Sequence, residues 1–580
     1  MSTGLAIGPV HVVSTTPKEV PTFTVPHDRV DAEIERLEAA VAAATSELDR
    51  RRELVAKQAG PKDAEIFGVQ KLVLQDPGAL NQVKNAIRQE RINAESAIRR
   101  LIDRFGDSFG GVNEDRGRSL IADISEPWQR VVDALVGRDR ETVLSDQQKV
   151  IVAAAELTPR VVTYLSRELV LGVVCEVGGR YSHGAVLARS LGIPCVVGLE
   201  NLLARLEQDM VVALDGNQGV MHLTPSNVEQ DEFLDRLARN ESRRRELSEA
   251  AIGPVETRDG ASFRVEANIE GPRDLELYDI GTIDGVGLFR TEFLYMERSQ
   301  FPSEEEQYRV YRQVLERMGD KPVTMRTLDV GADKTLPYFT TPREANPALG
   351  WRGLRISLAW SDLLRVQLRA LMRASMHGNL RVLLPMVTSL EEIREARAIF
   401  DGVRADLEGQ GYEVEADIPV GIMIEVPSAF VTLRTLIEEV DFISVGTNDL
   451  VQYLLAVDRD NPWVVKSFEP YHPAVMMALE FVARTAREAG KPGCVCGDMA
   501  GDPATAVMLL GMGFESVSAA AHFAPEIKNA VRSVSSAEAA ELGARVTREP
   551  LSGGVRGILA EFGARFDLSA DALRASTSGR

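Results

Sequence analysis

The chain has 580 residues, 66 of them Lys or Arg against 86 Asp or Glu, for a formal charge of −20. A chain of this length exceeds one compact core and predicts several domains, and its acidic balance argues against general nucleic-acid binding, which needs a basic footprint. Four cysteines, an N-terminus without signal-peptide features and no membrane-length apolar run predict a soluble, cytoplasmic protein with no disulfide framework and no membrane partner.

Residues 5–13 alternate apolar and small side chains as a short strand does. From 28 to 144 the pattern is helical. Val30, Ile34, Leu37, Val41, Ala44, Leu48 and Val55 recur at the spacing of a helix seam. Further amphipathic segments over 63–136 are broken at Asp76-Pro77-Gly78 and at Gly110-Gly111. Short apolar strands return at 150–155, 170–174, 194–197 and 211–214. The expected arrangement is an α/β domain built from 1–27 and 145–226, interrupted by an inserted helical bundle at 28–144. An insertion of this kind suits the docking of a partner.

Within the α/β domain, Gly178-Gly179-Arg180-Tyr181-Ser182-His183 leads into a short helix ending at Gly192. His183 therefore stands at or near a helix N-terminus, where free N–H groups and positive potential suit a phosphoryl group on the imidazole. A lone histidine is more often structural. A Ser182–His183 hydrolase is the poorer reading, because adjacent residues point apart and no orienting acid is evident. Residues 227–255 are highly charged and read as an exposed linking helix.

Eight strand candidates follow, at 263–269, 285–290, 322–329, 380–387, 420–426, 442–447, 493–496 and 516–520. Helical patterns lie between most of them, which predicts a (β/α)8 barrel over 256–535, with a helical tail at 536–580 that carries no functional signal. Chemistry in such barrels gathers at the C-terminal strand ends. Here those ends carry Arg290; Arg326 with Asp329 and Lys334; Glu425; Asn448 and Asp449, followed by Arg459; and Cys494 with Cys496. One strand-end arginine is ordinarily a surface ion pair, but five charged or reactive ends on one rim point to a site.

Glu425 and Asp449 suit Mg2+, which takes one or two carboxylates and keeps positions for substrate oxygens. Arg290, Arg326 and Arg459 suit a phosphorylated substrate, since forked donors match phosphate oxygens. Cys496 suits an acid toward a substrate carbon, while Cys494, Cys175 and Cys195 read as core thiols. Strand alternation turns Cys494 and Cys496 the same way, so direction alone does not separate them.

Taken together, these residues resemble Enzyme I of the bacterial phosphotransferase system, from residue 4 to about 532. GGRYSHGAVLARSLGIPCVVG is similar to the family's phosphohistidine motif. GVGLFRTEFLYM, RTLDVGADKTLPYF, NPALGWRGLRIS, GIMIEVPS, VGTNDLVQYLLAVDRDNP and CGDMAGDP resemble its barrel motifs. The resemblance implies a multidomain α/β protein in which an α/β phosphohistidine domain with an inserted helical bundle precedes a TIM-type barrel. It implies that His183 is phosphorylated, that Glu425 and Asp449 bind Mg2+, and that Cys496 protonates an enolate to give pyruvate. Arg290, Arg326, Arg459, Asn448 and the backbone of Asp449 would hold phosphoenolpyruvate, with Lys334 nearby.

It further implies that the bundle docks a small phosphocarrier of the HPr type, and that the chain forms a homodimer through its barrel. Tyr181 stands where the family usually has Thr, and Gly184 where it has Ser, Thr or Ala. A pyruvate–phosphate dikinase would need a large nucleotide-binding domain, for which no segment here has the length. A phosphorylation-state sensor without catalysis would not need the full set of rim residues.

Overall fold

The computed structural model describes residues 4–13, 22–58, 65–109, 125, 127–136, 149–155, 169–177, 188, 193–199, 201–216, 218–276, 278–296, 300–331, 336, 338–339, 344–459, 461 and 463–566. The chain falls into two units, one of Val12–Val150 and one of Met1–His11 with Ile151–Arg580.

The smaller unit is helical, with helices Val30–Gln58, Glu65–Leu74, Pro77–Glu90 and Ala94–Phe109. Their apolar seams meet in one core containing Leu37, Ala44, Leu48, Leu74, Val83, Ile87, Ile98 and Trp128. The break at Asp76-Pro77 is a helix start. Pro77 occupies the first turn, where no N–H bond is needed, and Asp76 Oδ1 accepts from the Ala79 amide at 2.7 Å. Side chains also tie the unit's helices together: buried Glu33 accepts from the Ala94 amide at 2.8 Å, and partly exposed Arg36 donates to the Leu135 carbonyl at 2.9 Å. Gly110-Gly111 lies outside the described residues.

The larger unit begins with a six-stranded sheet in the order β4-β3-β2-β1-β5-β6. Its strands are β1 (Leu5–Val13), β2 (Val150–Ala154), β3 (Val170–Cys175), β4 (Cys195–Val197), β5 (Val211–Asp215) and β6 (Val220–Leu223). β1 pairs antiparallel with β5, Leu5 opposite Asp215, so the first strand of the chain sits inside this sheet. The helical bundle is thus inserted between β1 and β2. The helix Asn227–Ala250 follows, started by a capping box between Ser226 and Glu229.

A short strand, β7 (Val255–Glu256), pairs antiparallel with β8 (Ser262–Ile269). Then come β9 (Val286–Phe289), β10 (Val323–Arg326), β11 (Leu380–Leu384), β12 (Val420–Ile424), β13 (Ile443–Val445), β14 (Gly493–Val495) and β15 (Ser516–Ala520). β8 to β15 pair in sequence order, each parallel to the next, and β15 returns to β8 with Ser516 opposite Arg264. This closed ring is the (β/α)8 barrel, and the protein is a multidomain α/β chain.

Alternation sorts the strand residues. Phe263, Val265, Ala267 and Ile269 face the surrounding helices in the main core, whereas Leu288, Leu383, Met423, Phe442 and Cys496 form a separate cluster inside the ring. β10 stops at Arg326 rather than at 329: beyond Thr327 the chain turns over the rim, reaching Gly331 at φ 116°. The helices Ser536–Arg548 and Ser552–Arg565 share the barrel's outer core through Leu542, Val546, Val555, Leu559 and Phe562. Gly511 permits that packing, since a Cβ there would lie 1.8 Å from the Ala539 carbonyl oxygen. No helix among the described residues is long and apolar enough to cross a membrane.

Candidate active site

Five strand ends deliver polar side chains to one rim of the barrel. Arg326, the last residue of β10, is 5% exposed; its Nη2 donates to Glu292 at 2.6 Å and its Nη1 lies 3.2 Å from Asp329. Burial alone would weaken its charged form, but Glu292, Asp329 and Glu425 hold the guanidinium above its ordinary value.

Glu425 follows β12 and is 1% exposed. Its Oε1 accepts from the Met386 amide at 2.7 Å. Gly446, at the end of β13, makes room for the carboxyl: a Cβ there would fall 2.8 Å from Oε2. Burial, with the charges of Asp449 and Asp329, pushes the Glu425 carboxyl up to about 8.

Asn448 and Asp449 stand on the first turn of the helix Thr447–Leu455. Asn448 Oδ1 accepts from the Asp498 amide at 3.1 Å, which ties this turn to the loop after β14. Asp449 Oδ2 is 3.4 Å from Arg352 Nη2, while its Oδ1 is buried with no hydrogen-bond partner in the protein. A divalent cation answers both oddities at once, giving that oxygen a partner and favouring the ionised form of Glu425. Among the described residues no three His, Cys, Asp or Glu side chains converge to hold a metal ion. A two-carboxylate set completed by water and substrate oxygens suits a divalent cation with hard oxygen ligands.

Cys496 follows β14. Its Sγ lies 3.4 Å from the Val445 carbonyl among Leu288, Leu383, Met423 and Phe442, and burial pushes the thiol up to about 11. It is therefore a protonated thiol with a proton to give. Asn268 holds the backbone beside it, donating to the Cys496 carbonyl at 3.1 Å.

Two further predicted residues, Arg290 and Arg459, are among those described. Arg290 pairs with Glu270 at 3.0 Å and is partly exposed. The Arg459 amide donates to Gln452 Oε1 at 3.2 Å, at the start of the long loop after that helix. His183, Lys334, Tyr181 and Gly184 lie outside the described residues.

The sequence reading missed Arg352. Its Nη2 sits 3.0 Å from Asp329 as well as facing Asp449, and its Nη1 donates to Tyr453 at 3.1 Å. Burial opposes its charge, and Asp329 and Asp449 more than restore it. It lies in the quoted stretch NPALGWRGLRIS, between Trp351 and Gly353, but not at a strand end. Gln367 was also missed. It receives the Leu328 amide at 2.9 Å and donates to Thr291 Oγ1 at 3.1 Å, and Thr291 in turn donates to the Arg326 carbonyl at 2.9 Å.

Comparison with known proteins agrees over most of the chain. Residues 1–118 match the N-terminal domain of PEP-utilising enzymes, 146–219 their mobile domain and 244–536 their PEP-binding domain. A phosphoenolpyruvate-protein phosphotransferase of Enterococcus faecalis is 39% identical over 522 residues, 90% of this chain and 91% of its own. That of Geobacillus stearothermophilus is 39% identical over 520 residues, 90% of each chain. That of Lactococcus lactis is 37% identical over 551 residues, 94% of this chain and 96% of its own. With matches of this extent, the chain belongs to the family of phosphoenolpyruvate-protein phosphotransferases.

Proposed function

We propose that the protein transfers the phosphoryl group of phosphoenolpyruvate to His183, and from there to a histidine of a small phosphocarrier of the HPr type, releasing pyruvate. The observation that carries this reading is the rim itself. Buried Arg326, Glu425, Asp449 and Cys496 stand together at the strand ends of a closed parallel barrel.

Arg290, Arg326 and Arg459, with Asn448 and Lys334, hold the phosphorylated substrate and balance its charge. Glu425 and Asp449 hold Mg2+, which supplies charge neutralisation on the phosphoryl oxygens when bound. The imidazole of His183 attacks phosphorus in line as the bond to the enol oxygen breaks. The enolate carbon then takes the thiol proton of Cys496, and the thiolate regains a proton from solvent. Removal of the enolate as pyruvate drives the first transfer forward. The inserted helical unit is the docking surface for the carrier, and the chain works in the cytoplasm as a homodimer through its barrel. The family resemblance supports these last assignments.

The test is intact mass after mixing the protein with phosphoenolpyruvate and Mg2+, beside a His183→Ala control. An acid-labile phosphate adduct on the wild type alone is expected. An adduct on neither protein overturns the catalytic reading.

A further inference from the structure

We propose that Arg556 is a positioning residue for phosphoenolpyruvate turnover. It braces the loop that carries Arg459 against the loop that follows Cys496. The inference rests on the function proposed above, and it concerns a helix, Ser552–Arg565, that lies beyond the family-matched segment 244–536.

Short-range backbone bonds join the described residues of the loop after helix Thr447–Leu455. The Asn461 amide bonds the Asp458 carbonyl, Val464 and Val465 both bond Asn461, and Phe468 bonds Val465. These bonds lead from Asp458, the neighbour of Arg459, to Phe468, the neighbour of Glu469. At that far end Arg556 Nη2 donates to both Glu469 oxygens, at 2.7 and 2.6 Å. The same carboxylate accepts from the Tyr471 amide at 3.0 Å, and the Arg556 guanidinium lies 5.6 Å from the centre of the Tyr471 ring.

Tyr471 extends the connection. It is 7% exposed, and its hydroxyl is 3.0 Å from Thr505 Oγ1. Thr505 caps against Asp502, its hydroxyl and amide each 2.8 Å from Asp502 Oδ1. Asp502 closes the turn Asp498–Gly501 that follows Cys496. One side chain therefore contacts the anchor of the Arg459 loop and the aromatic ring that ties it to the Cys496 loop.

An exposed ion pair contributes little. This one is largely covered, with side-chain exposures of 20% and 23%, and it sits on a helix whose Val555, Leu559 and Phe562 are buried. Its support is a helix packed into the outer core and its load is a loop, which is the arrangement expected of a brace.

The experiment compares full-length wild type with Arg556→Gln, Glu469→Gln, the double variant and Arg556→Lys. Steady pyruvate release with a saturating HPr-type carrier is measured against phosphoenolpyruvate concentration, and hydrogen exchange is followed over 456–472 and 497–505. Each single Gln variant should raise KM about fivefold with kcat within about twofold, and the double variant should do no more than either single. Arg556→Lys should recover part of the loss. The amides of Tyr471 and His472 should exchange faster in both Gln variants.

Unchanged KM and unchanged exchange, with only a lower Tm, would show that the pair merely attaches the helix and would overturn the proposal. Should Arg556→Gln fail to fold, Glu469→Gln tests the same link from the loop side. A wild type that releases no pyruvate would sink the function proposed above, while the exchange comparison still decides the brace.

Discussion

The Cys494 thiol reaches Glu266 Oε2 at 3.8 Å, deeper in the barrel, whereas Cys496 Sγ lies at the rim against the Val445 carbonyl and four apolar side chains. Burial raises both thiols, Cys494 well above its ordinary value and Cys496 to about 11. The sign matters for an acid. A folded-state value above the ordinary 9 means that Cys496 stays protonated throughout the neutral range and that its thiolate appears only as pH rises toward 11. In a Cys494→Ser background, iodoacetamide should label Cys496 slowly near neutral pH, the rate climbing until about 11. Cys496→Ala should cut pyruvate release by roughly 100-fold or more, as loss of a general acid does. Fast labelling at neutral pH would remove the thiol from the acid's role.

At this scale the strand-end residues were legible because a barrel places its strand ends on one rim, whatever the intervening helices do. Arg352 was not, because its partners Asp449 and Tyr453 are 97 and 101 residues away in sequence and meet it only once the ring closes.

Between elements, the site depends on polar groups that no motif announces. Gln367, on the helix Ser361–Ala374, is 1% exposed and stitches three neighbours together: the Leu328 amide, Thr291 Oγ1 and, at 3.2 Å, the Tyr311 hydroxyl. Tyr311 donates onward to Gln307 at 3.0 Å, which also receives Tyr295 at 3.0 Å. The stretch from Arg326 to Asp329 is thus held from outside the ring by the helix that follows it. Gln367→Leu keeps the volume but leaves the Leu328 amide without its acceptor in a buried place. We expect a loss of about 2 kcal/mol in denaturant unfolding, with a lower kcat/KM for phosphoenolpyruvate as the Arg326 loop loosens. Unchanged unfolding would mean that a water replaces the amide.

The barrel strands were legible as elements because each is apolar and bounded by turn residues. β6 was not: its burial alternates between exposed and intermediate along Val220–Leu223, so it lacks the apolar stripe on which such readings rest. β7 has two residues and leaves no period to detect.

For the whole molecule, the order of domains could be read because composition changes sharply at each boundary, from a helical seam to short apolar strands and then to a charged helix. What ties the last boundary down could not. Lys528 is fully buried, its Nζ 2.7 Å from Asp284 and 2.6 Å from the Gly253 carbonyl, while Arg532 donates to the Ala250 carbonyl at 2.6 Å. These cations satisfy carbonyls where the helix Asn227–Ala250 ends, a cap supplied from 275 or more residues downstream.

A chain with the proposed relay has a consequence that depends on both halves together. His183 is the acceptor of the first transfer and the donor of the second, so a full turnover must empty it before the barrel can act again. Without a phosphocarrier, rapid mixing with phosphoenolpyruvate and Mg2+ should release a burst of about one pyruvate per chain and then stop. Adding an HPr-type carrier should convert the burst into steady release, with double-reciprocal lines parallel in the two substrates. Sustained release without any carrier would mean that water empties the histidine, making the protein a phosphatase of phosphoenolpyruvate. A full burst that no carrier can restart would leave the barrel chemistry standing and place the acceptor outside the HPr class.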